Sequence, residues 1–191
     1  MKALGINCSP RKGGNTELLI YEVFKAIEKE GIKTEFFQIG GKDVNGCIAC
    51  MKCRKKEDGR CHQKNDVINN CIERMLKADA IIIGSPVYNA DITADAKALI
   101  EVSSYALSGA GKPLKHKPGA AVIAVRRAGA IHAFDSINHF FLINEMIIPG
   151  SSYWNIVIGR EKGEVLNDEE GMRTMKVLGE NMAWLLKKIN R

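Results

Sequence analysis

Short apolar runs alternate with segments of helical periodicity along the 191-residue chain. Five runs predict β-strands, over residues 2–7, 33–39, 80–86, 119–127 and 155–159. Between and after them, apolar residues recur every three or four positions, which predicts helices over residues 16–31, 66–80, 90–108, 130–146 and 167–190. Strands that alternate with helices in this way are typical of a parallel sheet covered on both faces. The pattern therefore predicts one doubly wound α/β domain over residues 1–191.

Composition and charge narrow the class of protein. Hydrophobic residues make up 46% of the chain and charged residues 26%, which is typical of a globular protein. No apolar run approaches the length of a membrane span, and the opening residues lack the apolar core of a signal peptide, so we expect a cytoplasmic protein without a membrane partner. The net charge is +6, but basic and acidic residues are interleaved, so we expect no nucleic-acid partner.

A polar segment, NCSPRKGGNT, follows the first predicted strand at residues 7–16. In open α/β sheets, ligands bind beyond the carboxyl ends of the strands, and a helix N-terminus offers unpaired amides to an anion. We expect a phosphate there, contacted by Ser9, Arg11, Asn15 and Thr16. The alternative is an ordinary capped helix after a polar turn. Neither a Walker loop nor G-x-G-x-x-G is present, which favours a monophosphate.

A second segment, SPVYNAD, follows the third predicted strand and so lies at the same edge of the sheet. Its residues Pro86, Val87, Tyr88 and Asn89 predict a turn that offers backbone groups and an aromatic ring to a flat ligand. The alternative is a surface turn with a half-buried tyrosine. Together, the two segments indicate flavin mononucleotide (FMN).

S-P-R-x-G-G-N-T after the first strand and S-P-V-Y after the third resemble the flavodoxin-like NAD(P)H-dependent FMN reductase superfamily over nearly the whole chain. The resemblance implies a flavodoxin-like five-stranded parallel sheet with helices on both faces. It also implies that FMN places its phosphate in the first loop and its isoalloxazine ring on the second. A third loop of the family corresponds, more weakly, to RRAGAIH at residues 126–132.

Four cysteines lie within 15 residues, in a loop at residues 45–65 inserted after the second predicted strand. They form the pattern C-x2-C-x2-C-x7-C with Cys47, Cys50, Cys53 and Cys61. Three closely spaced thiolates and a more distant fourth can ligate a [4Fe–4S] cluster. Zinc also takes four thiolates, although usually from two C-x-x-C pairs across a longer gap, and redox-active or merely reduced thiols are a third interpretation.

The cysteine pattern is similar to the compact motif of the iron–sulfur flavoproteins, which belong to the same superfamily and carry one [4Fe–4S] cluster and one FMN per subunit. The resemblance implies electron transfer from a ferredoxin-like donor or NAD(P)H, through the cluster and FMN, to a small acceptor such as oxygen, peroxide or a quinone. It also implies a homodimer or a dimer of dimers. We expect no catalytic side chain, because the cofactors carry the chemistry.

Two alternatives to that function stay open at this stage. One is a cluster-free NAD(P)H-dependent FMN or quinone reductase. The other is a flavodoxin-like binding module whose thiols hold a structural zinc ion. Outside the motif, Cys8 and Cys71 are expected to be buried, and Trp154 and Trp184 to lie in the core or in a subunit contact. The basic run at residues 54–60 predicts a solvated loop or a docking site for an acidic redox protein.

Overall fold

The computed structural model describes residues 1–190 and contains a single all-parallel sheet. Its strands are β1 (Lys2–Asn7), β2 (Lys33–Gln38), β3 (Ala80–Pro86), β4 (Gly119–Val125) and β5 (Ile156–Ile158). The strand order is β2-β1-β3-β4-β5, the flavodoxin-like order, which confirms the predicted fold. The order reverses beside β1, so a crevice forms where the loops after β1 and β3 diverge.

Within residues 1–190 there are six helices, five of which cover the two faces of the sheet. They are α1 (Asn15–Lys29), α2 (Lys52–Lys56), α3 (Asp66–Lys77), α4 (Ala94–Gly109), α5 (Ala130–Ile143) and α6 (Glu169–Ile189), with a short 3-10 helix at Glu164–Asn167. Helices α1 and α6 pack on one face, and α3, α4 and α5 pack on the other. No helix within residues 1–190 is long and apolar enough to cross a membrane.

The central strand β3 shows why the strands are apolar throughout. Successive side chains of a strand point to opposite faces, so Ile81 and Ile83 pack with α3, α4 and α5, whereas Ile82 packs with α1 and α6. Both faces are covered, so a polar side chain on either face would be buried. At Gly84 a Cβ atom would lie 2.8 Å from Thr16 Cγ2, so the absence of a side chain lets the start of α1 lie against the end of β3.

Several boundaries differ from the predicted ones. Helix α4 begins at residue 94 rather than 90, because Asn89 and Ala90 adopt left-handed backbone conformations, with φ of 50° and 63°. Thr93 then caps the helix, its Oγ1 accepting a hydrogen bond from Ala96 N at 3.2 Å. Helix α2, inside the cysteine-rich loop, was not predicted, because five residues are too few to show helical periodicity.

Candidate functional site

A cavity of about 380 Å³ opens at the carboxyl ends of the strands; we call it the strand-end cavity. Its walls come from the loops after β1, β3 and β5 and from the end of β4. Seven of the eight residues predicted to bind flavin line it: Ser9, Arg11, Asn15, Thr16, Pro86, Val87 and Tyr88. Asn89 is exposed and lies outside the lining. The fold therefore brings the two predicted segments together at one site.

The start of α1 fits an anion. Gly13 adopts a left-handed conformation, with φ of 61°, and its N–H donates to Glu17 Oε2 at 2.7 Å, whereas the N-cap residue Gly14 has no side chain to cap the helix. The Thr16 hydroxyl is buried and has no hydrogen-bond partner within the described chain. A buried hydroxyl without a partner costs free energy, and Thr16 lines the strand-end cavity. A phosphate at this position would accept from the hydroxyl and from the first helical amides.

The loop after β1 is held in shape by its neighbours. Gln38 Nε2 donates to Ser9 O at 2.7 Å and to Gly40 O at 2.8 Å, which ties the loop to the end of β2. Ser9 Oγ accepts a hydrogen bond from Arg11 N at 3.3 Å. A Cβ atom at Gly40 would lie 2.3 Å from the carbonyl carbon of Ser9, so the close approach requires glycine. The protein itself thus fixes the loop around the cavity.

Asn15 contacts the loop after β5 rather than offering its side chain to the cavity. Its Nδ2 donates to Gly159 O at 3.2 Å and to Glu161 O at 2.9 Å. Its Oδ1 accepts from Gly163 N at 2.8 Å. The motif predicts this amide on the phosphate, whereas in the structure the amide joins two loops. Because both polar atoms of the side chain are engaged, Asn15 would contact a phosphate through its backbone N–H.

The turn after β3 is tight and presents Tyr88 to the strand-end cavity. Tyr88 N donates to Asp91 O at 2.8 Å, and Asp91 N donates to Tyr88 O at 3.1 Å. Val87 N donates to Ala124 O at 3.0 Å, which joins the turn to β4. Tyr88 is 43% exposed and lines the cavity, so it is accessible to a flat ligand there.

Asp91 joins this turn to α5. Its Oδ1 accepts a hydrogen bond from Ser136 Oγ at 2.7 Å, and its Oδ2 lies 3.4 Å from His132 Nε2. Partial burial raises the pKa of Asp91, but the hydrogen bonds and nearby positive charge outweigh it and hold the pKa below its ordinary value. A Cβ atom at Gly129 would lie 2.6 Å from Ala90 Cα, so the weakly matching third loop packs against the turn.

The four motif cysteines line a second pocket, which we call the cysteine pocket. Cys47, Cys50, Cys53 and Cys61 share it with Val102 and Tyr105 of α4, among others. The pocket is small, about 20 Å³, and no three His, Cys, Asp or Glu side chains within residues 1–190 are arranged to hold one metal ion. The fold thus brings the four thiols to one pocket without forming a coordination sphere.

N–H groups surround the sulfur atoms of the cysteine pocket. Three of them donate to sulfur: Ala49 N to Cys47 Sγ at 3.4 Å, Gln63 Nε2 to Cys50 Sγ at 3.9 Å, and Asn65 Nδ2 to Cys61 Sγ at 3.9 Å. Ala49 and Met51, which lie between consecutive cysteines, have left-handed backbones with φ of 52° and 59°. Such donors stabilise thiolate charge and tune the potential of an iron–sulfur cluster.

Helices α3 and α4 support the cysteine pocket. Cys61 N donates to Asn69 Oδ1 at 2.9 Å, and Asn69 Nδ2 donates to Cys61 O at 2.9 Å, which clamps this cysteine to α3. A Cβ atom at Gly109 would lie 3.0 Å from Cys53 O, so α4 packs closely on α2. Burial raises the pKa of the Cys53 thiol, and charge on the other three sulfurs raises it further.

Known proteins share both the fold and the sequence of this chain. Residues 1–161 match the family described as NADPH-dependent FMN reductase. An iron–sulfur flavoprotein of Methanocaldococcus jannaschii is 38% identical over the full length of both chains, and one of Methanosarcina thermophila is 31% identical over 100% of this chain and 98% of its own. The chain belongs to the iron–sulfur flavoproteins of the FMN reductase family.

Solved structures at lower identity share the fold of this flavoprotein. RosB superposes with a TM-score of 0.74 at 19% identity, covering 100% of this chain and 80% of RosB. An archaeal flavodoxin superposes with a TM-score of 0.64 at 16% identity, covering 98% of this chain and 99% of its own. The family and the fold together make the flavoprotein an FMN-dependent oxidoreductase.

The remaining predictions concern residues outside the two sites of the flavoprotein. Cys8 and Cys71 are fully buried, as predicted, and burial raises the pKa of both thiols well above the ordinary range, so they stay neutral. Trp154 and Trp184 are 52% and 62% exposed, so neither lies in the core, and of the two expected positions the subunit contact stays a prediction.

The loop after β5 was not among the predicted site segments, although it supplies Gly159, Arg160, Glu161 and Lys162 to the strand-end cavity. A usable signal was present, because GREKG is a polar, glycine-flanked segment that directly follows a predicted strand. The rule that ligands bind beyond the carboxyl ends of parallel strands applies to this strand as much as to the first.

Proposed function

We propose that the chain passes electrons from a one-electron protein donor, through a [4Fe–4S] cluster in the cysteine pocket and FMN in the strand-end cavity, to a small acceptor. The observation that carries the proposal is the pairing of two separate sites. Seven predicted flavin residues line one cavity, and all four motif cysteines line another pocket.

In this proposal, the chain contributes binding and orientation to FMN. Thr16 donates its otherwise unpaired hydroxyl to the phosphate, Arg11 supplies charge, and Ser9 donates its hydroxyl. The isoalloxazine ring rests on the turn at Pro86, Val87 and Tyr88. FMN exchanges one or two electrons when bound, which lets it join a one-electron donor to a two-electron acceptor.

The donor set of the cysteine pocket fits an iron–sulfur cluster in chemistry. Four thiols with the spacing C-x2-C-x2-C-x7-C supply one ligand to each iron of a cubane. The protein adds N–H donors that stabilise the thiolates, and α3 and α4 hold the loop. The cysteine pocket, at about 20 Å³, must widen to admit a cluster. The cytoplasm, which keeps thiols reduced, suits the six free cysteines of the described chain.

A basic surface adjoins the cysteine pocket and supports a ferredoxin-like donor. Helix α2 carries four basic residues, all exposed, around the ligand Cys53: Lys52, Arg54, Lys55 and Lys56. Complementary charge accelerates the encounter of two proteins and makes the rate depend on salt. An acidic one-electron donor would therefore meet the chain next to the cluster.

Self-association has a candidate surface at the edge strand β5. Tyr153, Trp154 and Ile158 are 58%, 52% and 57% exposed there, and Ile131 and Leu166 are also exposed. Exposed apolar patches of this kind mark protein interfaces. A homodimer or dimer of dimers that covers this patch is part of the proposal, and the acceptor is a small molecule such as oxygen, peroxide or a quinone.

A cluster-free FMN or quinone reductase that uses NAD(P)H directly is the second candidate. The observation that favours it is the match of residues 1–161 to a family described as NADPH-dependent FMN reductase. In that case the cysteines hold zinc or stay reduced, and NADPH reduces the flavin without a protein donor.

Elemental analysis of protein purified without oxygen separates the candidates. The proposal expects one FMN, four irons and four sulfides per chain, and loss of most iron when any motif cysteine is replaced by serine. The matched controls, Cys8→Ala and Cys71→Ala, lie outside the pocket and should retain both iron and FMN. Flavin without iron in the wild-type protein contradicts the cluster, and stoichiometric zinc identifies a structural metal site instead.

A further inference from the structure

The loop after β5 lies directly over the phosphate-binding loop. Lys162 Nζ is 3.4 Å from Lys12 O, and a Cβ atom at Gly13 would lie 3.0 Å from the same nitrogen. Lys162 also lines the strand-end cavity that contains the unpaired Thr16 hydroxyl. Its ammonium group therefore faces the start of α1 from the opposite wall of the cavity.

The position of this loop is fixed from two sides. The Asn15 side chain makes three hydrogen bonds to it, with Gly159 O, Glu161 O and Gly163 N. A Cβ atom at Gly159 would lie 3.1 Å from Asn15 Nδ2 and 2.6 Å from Val165 N, so only glycine allows this approach.

The Glu164 carboxylate holds the loop from within. Its Oε2 accepts from Arg160 N at 2.8 Å and Glu161 N at 2.7 Å. The same two amides hold the pKa of Glu164 below its ordinary value, so the carboxylate stays charged and bonded at neutral pH.

Lys162 is the cation of this wall that is free to bind an anion. Arg160 Nε lies 3.2 Å from Glu161 Oε1, so its charge is already paired. Arg126 comes two residues after Ala124, whose carbonyl accepts a hydrogen bond from Val87 N. Arg126 therefore lies beside the turn that is expected to hold the flavin ring. Within residues 1–190, Lys162 makes only the long contact to a backbone carbonyl.

We propose that Lys162 is a second cation of the phosphate subsite, and that the loop at residues 159–163, positioned by Asn15, determines the preference of the site for a phosphorylated flavin. The inference rests on the proposed function, because it requires FMN in the strand-end cavity. Asn15 is a positioning residue here, since it acts on the phosphate through the loop that carries Lys162.

The test compares FMN with riboflavin, which lacks the phosphate, on flavin-depleted full-length protein, with binding followed by flavin fluorescence. Lys162→Gln should raise the FMN dissociation constant about tenfold, which corresponds to about 1.4 kcal/mol. The riboflavin constant should stay within twofold. The matched control is Lys12→Gln, which removes the same charge from the neighbouring loop, where the side chain does not line the cavity. It should leave both constants within twofold.

Salt and a double variant provide independent readouts. The FMN constant of the wild-type protein should rise with salt more steeply than that of Lys162→Gln, because one screened contact has been lost. Asn15→Ala should weaken FMN as well, and Asn15→Ala combined with Lys162→Gln should be little worse than the poorer single variant, because both remove the same contact.

Three outcomes distinguish the failures. If Lys162→Gln matches Lys12→Gln for both flavins, Lys162 does not bind the phosphate and the inference is wrong. If Lys162→Gln weakens both flavins equally, the lysine contacts another part of the flavin and the inference is again wrong. If the wild-type protein binds riboflavin as tightly as FMN, no phosphate subsite exists, and the proposed placement of the FMN phosphate at the start of α1 fails together with the inference.

Discussion

Replacing Thr16 by valine should stabilise the flavin-free protein and weaken FMN binding at the same time. The Thr16 hydroxyl is buried without a partner in the described chain, and valine has nearly the same shape without the oxygen. An unsatisfied buried hydroxyl costs about 1–3 kcal/mol, so its removal should raise the unfolding free energy of the flavin-free protein by about 1 kcal/mol or more.

The effect on binding has the opposite sign, because the hydroxyl gains a partner only when the phosphate is present. A hydrogen bond to a charged group contributes about 1.5–3 kcal/mol, so Thr16→Val should raise the FMN dissociation constant by about 10-fold to 150-fold. Riboflavin should bind the variant and the wild-type protein equally, since it lacks the phosphate.

Denaturant unfolding of the flavin-free protein and fluorescence titrations with both flavins measure the two effects. Ser103→Ala is the matched control, because the Ser103 hydroxyl is also buried and unpaired in the described chain but lies in α4, away from the strand-end cavity. It should stabilise the protein and leave FMN affinity unchanged. A Thr16→Val protein that is destabilised without flavin, or that loses FMN and riboflavin affinity equally, would refute the reasoning.

Three further predictions test the turn, an ion pair and a helix contact. Tyr88→Ala should brighten flavin fluorescence and shift the flavin potential, and unchanged spectra would reduce the turn to a structural role. A hydrogen bond from Lys2 and the charge of Arg74 hold the pKa of Glu35 below its ordinary 4.5, against the opposing effect of burial. The stability that this lowered pKa adds is present above pH 4.5 and is lost as the pH falls below it. In a plot of unfolding free energy against pH, Glu35→Gln should therefore show a smaller fall below pH 4.5 than the wild-type protein. Parallel plots for the two proteins would contradict the assignment. Gly179→Ala should cost about 1–3 kcal/mol, because its Cβ would lie 2.5 Å from a carbonyl of α1, whereas Gly150→Ala, with open space, should change the unfolding free energy by less than about 0.5 kcal/mol.

The fold was predictable because the parallel sheet is covered on both faces. Continuous apolar strands such as residues 80–86 can be buried only in that way, and the alternation with helices then limits the topology to doubly wound forms. The boundaries were less predictable, because they depend on single residues. The left-handed pair at Asn89 and Ala90 delays α4, although neither residue type requires that conformation.

The location of the two candidate sites in the fold was predictable where backbone chemistry and motif coincide. Glycines, hydroxyls and an arginine between a strand and a helix indicate a phosphate, and paired C-x-x-C steps indicate a thiolate site. The role of Asn15 was not predictable, because its partners lie 144 to 148 residues away and no local pattern records them. For the same reason, the contribution of the loop after β5 emerged only with the fold.

The contact between the loop after β1 and the loop after β5, far apart in the sequence, also sets the order in which the two sites of the protein can form. The walls of the strand-end cavity span residues 9 to 162, so the cavity closes only after the last strand has joined the sheet. The lining of the cysteine pocket ends at Tyr105. A chain emerging from the ribosome folds from its N-terminus, and distant contacts form late because they close long loops. During synthesis, therefore, all residues of the cysteine pocket are available while the proposed flavin site still lacks a wall, so a flavin bound there would be the later of the two cofactors to find a complete site.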